Sequence, residues 1–331
     1  MELQLGLNSF GEVATSGGVP MTDAETLRLL VDEARLAERV GLDVFSVGEH
    51  YRAGHNDSAT PVLLAAIATA TERIGLGTSV TVLSTNDPVR LYHEFSTLDA
   101  VSNGRAQLVL GRASATESFP LFGYDLADYE RLFEEKLDLF VRLEREESVT
   151  WSGSVRAPLH AQTLHPRMRE GGIPTWIGVG GSPDSVIRAA RYGLPLMLAI
   201  IGGRPQRFAG HVELYHRALE QWAHAPGGSG QRASAVWSGC GDQAAAHDAR
   251  LLVVHDRADR VVPVVAARAI EAGWPGPARV MITEDRGHNR ILAAPEVLTA
   301  VAAFATDPDA AADPDPVAEL VEGSPHRVPA S

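Results

Sequence analysis

The chain has 331 residues and a formal net charge of −13, from 29 Lys and Arg against 42 Asp and Glu. This length accommodates one large α/β barrel or two ordinary domains, and the negative charge argues against nonspecific binding of nucleic acid or anionic lipid. Cys240 is the single cysteine, so an intrachain disulfide and a multi-thiolate metal site are excluded. We expect a cytoplasmic protein with no bound metal, no signal peptide and no membrane span.

Short aliphatic runs alternate with longer helical patterns, which is typical of parallel strands joined by crossover helices. Thr22 and Glu25 form a capping-box pattern at the first helix, and Asp87 with Pro88 gives the cap-and-proline signal of the third. Residues 149–165 interrupt the alternation and predict an irregular hairpin. The predicted strands are 3–7, 43–47, 74–82, 106–110, 175–179 and 196–200.

The six βα units counted so far fall short of the eight that close a (β/α)₈ barrel. A glycine-rich run at residues 225–230 then marks a change in composition. Residues 307–331 lack apolar periodicity and predict a disordered acidic, proline-rich tail. Between these two segments, further strands and helices are predicted at 250–255, 263–272, 278–283 and 295–305.

Polar residues that directly follow the predicted strands are the candidates for chemistry, because parallel α/β barrels place their active sites there. Glu49 and His50 follow strand two, and Arg112 follows strand four. His50 suits proton transfer, although a histidine at a strand end equally serves to satisfy a buried backbone group. These three side chains are expected to converge at one end of the barrel.

A glycine and serine turn, Gly180–Gly181–Ser182, lies where strand five meets the next helix. Backbone N–H groups and the positive end of the helix dipole bind phosphate at such a turn. Arg112 on a neighbouring strand end could supply the positive charge. The alternative is that the glycines only permit a tight turn.

Five segments, taken together, resemble the bacterial luciferase-like family of flavin-dependent monooxygenases over about residues 1–228. The resemblance implies a (β/α)₈ TIM-type barrel that binds reduced flavin at the C-terminal ends of its strands. The matching segments, in family order, are 43–50 (DVFSVGEH), 74–78 (IGLGT), 87–90 (DPVR), 98–105 (with LD and SNGR) and 173–178 (IPTWIG).

The resemblance also implies roles for single residues. His50 matches the active-site histidine, and its neighbour Glu49 is a second candidate catalytic residue. Ser79–Val80 match a bulge in strand three that lies against the flavin ring, often with a cis peptide bond. Tyr51 stands where the family often has a second histidine, and Gly181 stands where some members have a glutamate. The positions matched to the cofactor phosphate are Arg112, Gly180, Gly181, Ser182 and Ser185.

FMN is the implied cofactor, and the compact serine and glycine turn favours it over a deazaflavin coenzyme. The resemblance further implies a small organic substrate that is oxidised with dioxygen, and a separate flavin reductase that uses NAD(P)H to supply reduced FMN. A homodimer is also considered.

Residues of about 248–305 resemble the C-terminal part of an α/β hydrolase, most clearly in the run 251–263. In that family Asp259 and His288 match the acid and base of a catalytic triad, but the chain has no G-x-S-x-G nucleophile motif. Our interpretation is that segment 229–306 supplies or replaces the last two βα units of the barrel. The alternatives are a separate lobe, an esterase or lactonase that uses both residues, and a flavin-binding fusion with impaired activity.

Overall fold

The computed structural model describes the protein at residues 4, 6–16, 19–112, 115–200, 205–223, 236–238, 251–256, 278–284, 297 and 300. The chain divides into two compact units, Met1–Cys240 and Gly241–Ser331. The glycine-rich run 225–230, the predicted helix 263–272, all but two residues of 295–305, and the predicted tail 307–331 lie outside the described residues.

Strands and helices of the first unit alternate as the sequence predicts. The strands are β1 (Gly6–Ser9), β2 (Thr15–Ser16), β3 (Val19–Pro20), β4 (Val44–Val47), β5 (Gly75–Thr78), β6 (Thr81–Val82), β7 (Leu108–Gly111), β8 (Val149–Trp151), β9 (Leu159–Gln162), β10 (Thr175–Val179), β11 (Leu196–Ala199) and β12 (Val236–Ser238). The helices are α1 (Asp23–Arg39), α2 (Thr60–Ala70), α3 (Pro88–Val101), α4 (Ser118–Leu121), α5 (Tyr129–Arg145), α6 (Pro183–Tyr192) and α7 (Ala209–Ala223), with 3₁₀ turns at Leu126–Asp128 and Pro205–Phe208.

The long strands form a parallel wall that follows chain order. One sheet has the order β1-β4-β5 and another, read in the same direction, β6-β7-β10-β11-β12. Two backbone hydrogen bonds join the sheets: the Leu76 N–H donates to the Arg105 carbonyl (2.9 Å) and the Gln107 N–H donates to the Leu76 carbonyl (2.8 Å). The predicted hairpin excursion is the antiparallel pair β8 and β9.

Strand β12 differs from the sequence prediction. It pairs with β11 through Met197 and Val236, whereas 250–255 was expected to be the next strand after 196–200. A run of only three residues, Val236–Ser238, has no detectable periodicity, which is why the sequence pattern missed it. In the second unit, β13 (Leu251–Asp256) and β14 (Ala278–Thr283) form a parallel pair of their own.

Local capping chemistry sets where the helices begin. The Thr22 side chain accepts the Glu25 N–H while the Glu25 carboxylate accepts the Thr22 N–H, which is a complete capping box. Asp87 accepts the N–H groups of Val89 (2.9 Å) and Arg90 (3.1 Å) at the start of α3. In the part of the chain that the structure describes, no helix is long and apolar enough to cross a membrane.

The two faces of the wall have different roles. Buried residues such as Phe45, Leu108 and Ile177 belong to the hydrophobic core that the strands share with the surrounding helices. Successive strand residues face opposite sides, so Ser46, Gly77, Val109 and Gly178 face the barrel interior. Ser46 and Gly77 are small and lie close together, because a Cβ built on Gly77 would lie 2.5 Å from Ser46 Oγ. The close approach of Ser46 therefore requires a glycine at position 77.

Arg105 holds the N-terminal ends of the strands opposite that site. Its guanidinium donates to the carbonyls of Ala68 (2.8 Å), Ile74 (3.0 Å) and Ser102 (2.8 Å) and to both oxygens of Thr71. These contacts join the end of α2, the approach to β5 and the end of α3. The SNGR segment of the sequence thus has a structural role, which is to fix the wall.

We expect Arg105→Ala to lower the free energy of unfolding by about 2–3 kcal/mol, since several carbonyls lose a charged donor. Urea unfolding followed by circular dichroism measures this. Arg35→Ala is the matched control, because Arg35 forms only an exposed pair with Asp32 (3.2 Å), and its loss should cost less than about 1 kcal/mol. Equal effects of the two substitutions would contradict the role of Arg105.

Candidate functional site

The residues that the sequence singles out lie at one end of the barrel. Because the strands are parallel, their C-terminal ends share this end, which we call the barrel mouth. His50 follows β4, Val80 lies between β5 and β6, Arg112 follows β7, and Gly181 follows β10. Four neighbouring strand ends therefore carry the predicted site.

His50 is oriented by a carboxylate that the sequence analysis missed. Its Nδ1 lies 2.8 Å from Oδ2 of Asp57, and its backbone N–H donates to Oδ1 of the same residue (3.2 Å). A carboxylate oxygen accepts, so Nδ1 carries the proton and Nε2 is the nitrogen left for exchange. Asp57 is fully buried whereas His50 keeps 15% of its side chain exposed, so the imidazole remains accessible.

The loop that carries Asp57 is tied to the end of β4. The Thr60 hydroxyl contacts the carbonyls of Gly48 (2.6 Å) and Asp57 (2.8 Å). Gly48 must lack a side chain, because a Cβ there would lie 2.6 Å from Phe10 Cδ1 and 2.9 Å from Asp57 Oδ2. The glycine before Glu49 therefore permits the approach of Asp57 to the histidine.

Glu49 has a different environment from His50. Its buried carboxylate accepts hydrogen bonds from the Tyr51 hydroxyl, the Val82 N–H (2.8 Å) and the Asn86 amide (2.9 Å). Burial raises the pKa of Glu49 and these hydrogen bonds oppose the rise. The pKa of Tyr51 is raised by burial and by the adjacent Glu49 carboxylate, so its hydroxyl keeps the proton that it donates. Glu49 thus joins the end of β4 to β6.

The third strand of the wall is interrupted at Ser79–Val80, whose peptide bond is cis, as the resemblance implies. Thr78 compensates for the break in the strand, because its hydroxyl accepts the Val109 N–H (2.9 Å) and donates to the Val109 carbonyl (3.2 Å). The backbone of β7 therefore remains satisfied where β5 ends, and Val80 is displaced from the regular strand.

Arg112 belongs to an arginine–glutamate cluster formed by Arg112, Glu130, Glu134, Arg188 and Arg191. Glu130 contacts both Arg112 and Arg188, and Glu134 contacts both Arg188 and Arg191. Three guanidinium groups meet two carboxylates, so the cluster has a net charge of +1. The sequence predicted Arg112 alone, and its partners lie on α5 and α6.

The start of α6 follows the predicted glycine and serine turn. Gly181 has φ +138°, a conformation that favours glycine, and no heavy atom lies within 4 Å of a Cβ built on Gly180 or Gly181. Ser182 is the N-cap but its side chain makes no capping hydrogen bond. Ser185 in the first turn is buried. The first turn is therefore uncapped and the turn before it is open.

Lys136 supports the Arg112 strand end. Its buried ammonium donates to the Ser84 carbonyl (2.6 Å) and lies 4.0 Å from the centroid of the Tyr124 ring. The Ser84 hydroxyl in turn donates to the Arg112 carbonyl (3.2 Å). Burial lowers the pKa of Lys136 to about 8. This lysine joins α5 to the loop after β6 and to the residue that follows β7.

Asp259 and His288, the residues of the hydrolase resemblance, lie outside the described residues. Within the described part of the chain, no group of three or more metal-ligating side chains is present.

The chain is similar to a known protein family over most of its length. A family model described as luciferase-like monooxygenase matches residues 9–322, which include the segment that resembles a hydrolase. The alkanal monooxygenase alpha chain of Photorhabdus luminescens is 28% identical over 205 residues, covering 61% of this chain and 56% of that relative. The chain therefore spans little more than half the length of this curated relative, and none of these findings shows the hydrolase resemblance.

Solved structures agree with the fold. Monooxygenase RslO1 from Streptomyces bottropensis has a TM-score of 0.61 at 25% identity, with 68% of each chain covered. The oxygenating constituent of 3,6-diketocamphane monooxygenase from a Pseudomonas putida plasmid, solved with FMN, has a TM-score of 0.58 at 19% identity, covering 68% of this chain and 65% of that one. An F420-dependent secondary alcohol dehydrogenase, solved with an F420–acetone adduct, has a TM-score of 0.58 at 18% identity, covering 77% and 70%.

The predicted fold class, an α/β barrel of luciferase-like type, is confirmed by these neighbours and by the parallel wall of the structure. The family match extends over nearly the whole chain. The chain belongs to the luciferase-like monooxygenase family.

Proposed function

We propose that this protein is a flavin-dependent monooxygenase that binds FMN at the barrel mouth and oxidises a small organic molecule. The observation that carries the proposal is the combination, at one set of strand ends, of a histidine oriented by a buried carboxylate and an arginine beside an uncapped helix start. Family membership supports the same activity. The alternative, an esterase or lactonase of the α/β-hydrolase type, would need the G-x-S-x-G nucleophile motif, which the sequence does not contain.

The site fits the phosphate of FMN. The uncapped start of α6 and the open space at Gly180 and Gly181 provide room and N–H groups. Nη1 of Arg188 is buried and has no hydrogen-bond partner among the described residues, which is costly unless an acceptor oxygen completes it. Asp184 is an exposed acid in the first turn, and the positive charge that offsets it comes from Arg112 and Arg188, which share Glu130. We propose that Arg112, Ser182 and Ser185 hold the phosphate.

The other site residues suit the flavin ring and proton transfer. Val80 and Ser79 would contact the ring, which supplies the reaction with dioxygen when it is bound in reduced form. His50 would hold or move a proton at Nε2, because Asp57 fixes the proton on Nδ1. Glu49 would act on the chemistry only by positioning the strand ends, since its carboxylate is already engaged by three donors.

The choice of cofactor and partner is also part of the proposal. The compact phosphate site favours FMN over a deazaflavin coenzyme, although solved neighbours include one complex of each kind. We further propose that a separate flavin reductase, using NAD(P)H, supplies the reduced FMN. Family membership is the support for this partner and for a homodimer.

The direct test is an absorbance titration of the purified protein with FMN, with the deazaflavin coenzyme F420 as the competing ligand. We expect saturable binding with perturbed flavin bands for FMN and weaker binding for F420. A protein that binds neither, or that hydrolyses simple esters well, would overturn the proposed function. Preferential binding of F420 would overturn the choice of FMN.

Arg112→Ala should weaken FMN binding by about 10- to 100-fold, because a charge-assisted contact is lost. Riboflavin has no phosphate, so its affinity should change little. Isothermal titration with both ligands measures the difference. Arg131→Ala is the control, since Arg131 on α5 forms only exposed contacts, with Asp128 and Ser154. Equal losses for FMN and riboflavin would contradict the phosphate role.

His50→Gln should leave FMN affinity nearly unchanged and slow the reaction of bound reduced FMN with dioxygen and substrate by about 10²- to 10⁴-fold. Asp57→Asn should slow the same reaction by a smaller factor, because the amide no longer fixes the proton on Nδ1. Stopped-flow absorbance measures both rates, and His160→Gln, an exposed position on β9, is the control. Full activity of His50→Gln would reduce His50 to a structural residue.

A further inference from the structure

The Val80 side chain lies directly against two glycines of the barrel interior. A Cβ built on Gly111 would lie 2.3 Å from Val80 Cγ2, and a Cβ built on Gly178 would lie 2.8 Å from Val80 Cγ1. Both separations are shorter than a carbon–carbon contact allows. These two positions, at the ends of β7 and β10, must therefore lack a side chain for Val80 to occupy its place.

Backbone conformation does not explain these glycines. Gly111 and Gly178 are absent from the glycines with positive φ, so an alanine could adopt either backbone. Around Gly178 the next nearest atoms are the Leu110 carbonyl oxygen and Val109 Cγ1, each 3.6 Å from the built Cβ, which is ordinary contact. Val80 is thus the one described neighbour that lies closer than ordinary contact and excludes a larger residue at Gly178.

The residues on both sides of Val80 in the chain are fixed by hydrogen bonds, whereas Val80 itself is partly exposed at the barrel mouth. The Thr78 hydroxyl fixes the strand before it through Val109, and the Glu49 carboxylate accepts the Val82 N–H after it (2.8 Å). With both flanks tied, a group added beneath Val80 displaces the side chain toward the opening. The absence of side chains at Gly111 and Gly178 therefore determines how far the Val80 side chain projects into the barrel mouth.

We propose that Gly111 and Gly178 are positioning residues which set the height of Val80 at the barrel mouth, and through it the depth at which the flavin ring binds. The inference rests on the proposed function, because it concerns the ring of the same cofactor. It adds residues that the site assignment does not contain. Neither glycine would touch the phosphate, so their effect should be the same for FMN and riboflavin.

The test compares Gly178→Ala with the double variant Val80→Ala/Gly178→Ala. The single change should weaken both FMN and riboflavin about tenfold or more, in the range that overpacking produces, and should shift the absorbance bands of the bound flavin. The double variant lacks the Val80 Cγ1 atom that meets the new methyl group. We therefore expect its flavin affinity to equal that of Val80→Ala alone. Gly210→Ala on α7 is the control, because nothing lies within 4 Å of its built Cβ.

Gly111→Ala provides a second test, in which Val80→Ala should rescue flavin binding less than it does at Gly178. Val80 Cβ would still lie 3.0 Å from the new methyl group after Val80→Ala, so the rescue should be partial at Gly111 and complete at Gly178. If Gly178→Ala does not fold while the double variant folds and binds riboflavin, the steric link through Val80 is also supported.

Three results would overturn the inference. They are unchanged flavin affinity and spectrum in Gly178→Ala, failure of Val80→Ala to rescue that variant, and a loss confined to FMN. If the parent protein binds no flavin, the proposed function itself fails, and this result is distinct from all three.

Discussion

The interruption of the third barrel strand at Ser79–Val80 is the constraint on which the rest of the site depends. A parallel wall satisfies its backbone groups through continuous ladders, so a break exposes polar groups to an apolar interior. Here the Thr78 hydroxyl hydrogen-bonds both the N–H and the carbonyl of Val109, and the Glu49 carboxylate accepts the Val82 N–H. With these replacements the strand resumes as β6 and Val80 stands clear of it at the barrel mouth.

That compensation explains why charged groups are buried near the site without being available for chemistry. Glu49 and Lys136 are both buried, with the pKa of Glu49 raised and that of Lys136 lowered by burial. Their polar atoms are engaged by the Val82 N–H and the Ser84 carbonyl on either side of the bend that follows β6. Asp57 likewise accepts a hydrogen bond from the His50 backbone N–H, and its second carboxylate oxygen contacts Nδ1 of the His50 ring. The His50 imidazole is therefore the accessible group, and the polar side chains that support this end of the barrel are buried.

The sequence predicted those elements whose signals are local. Strand Thr175–Val179 and the capping box at Thr22 agree with the structure to the residue, because periodicity and capping are read within a few positions. The first strand was predicted at 3–7 and its described part, Gly6–Ser9, continues two residues further, where it pairs with β4, while residues 3 and 5 lie outside the described residues. Strand β12 was missed because three residues carry no pattern.

In the candidate site, too, the sequence predicted what depends on local signals and missed what depends on distant contacts. Individual strand-end residues such as His50 and Arg112 could be named from their positions after apolar runs. Their partners could not, because no local pattern links them. Asp57 lies in the loop before α2, and Glu130 and Arg188 come from two different helices that meet beside Arg112. Val80 resting on Gly111 and Gly178 likewise depends on three strands coming together.

Electrostatics explains why the proposed phosphate site needs a cluster of charged groups. The chain carries a net charge of −13, so the protein as a whole repels a dianion, and attraction must come from groups at short range. The arginine–glutamate cluster supplies a local excess of one positive charge, but Glu130 contacts Arg112 and is itself largely exposed. In the proposed site a phosphate would compete with Glu130 for Arg112. The affinity for the phosphate would then be the difference between two ion pairs, which would keep it moderate.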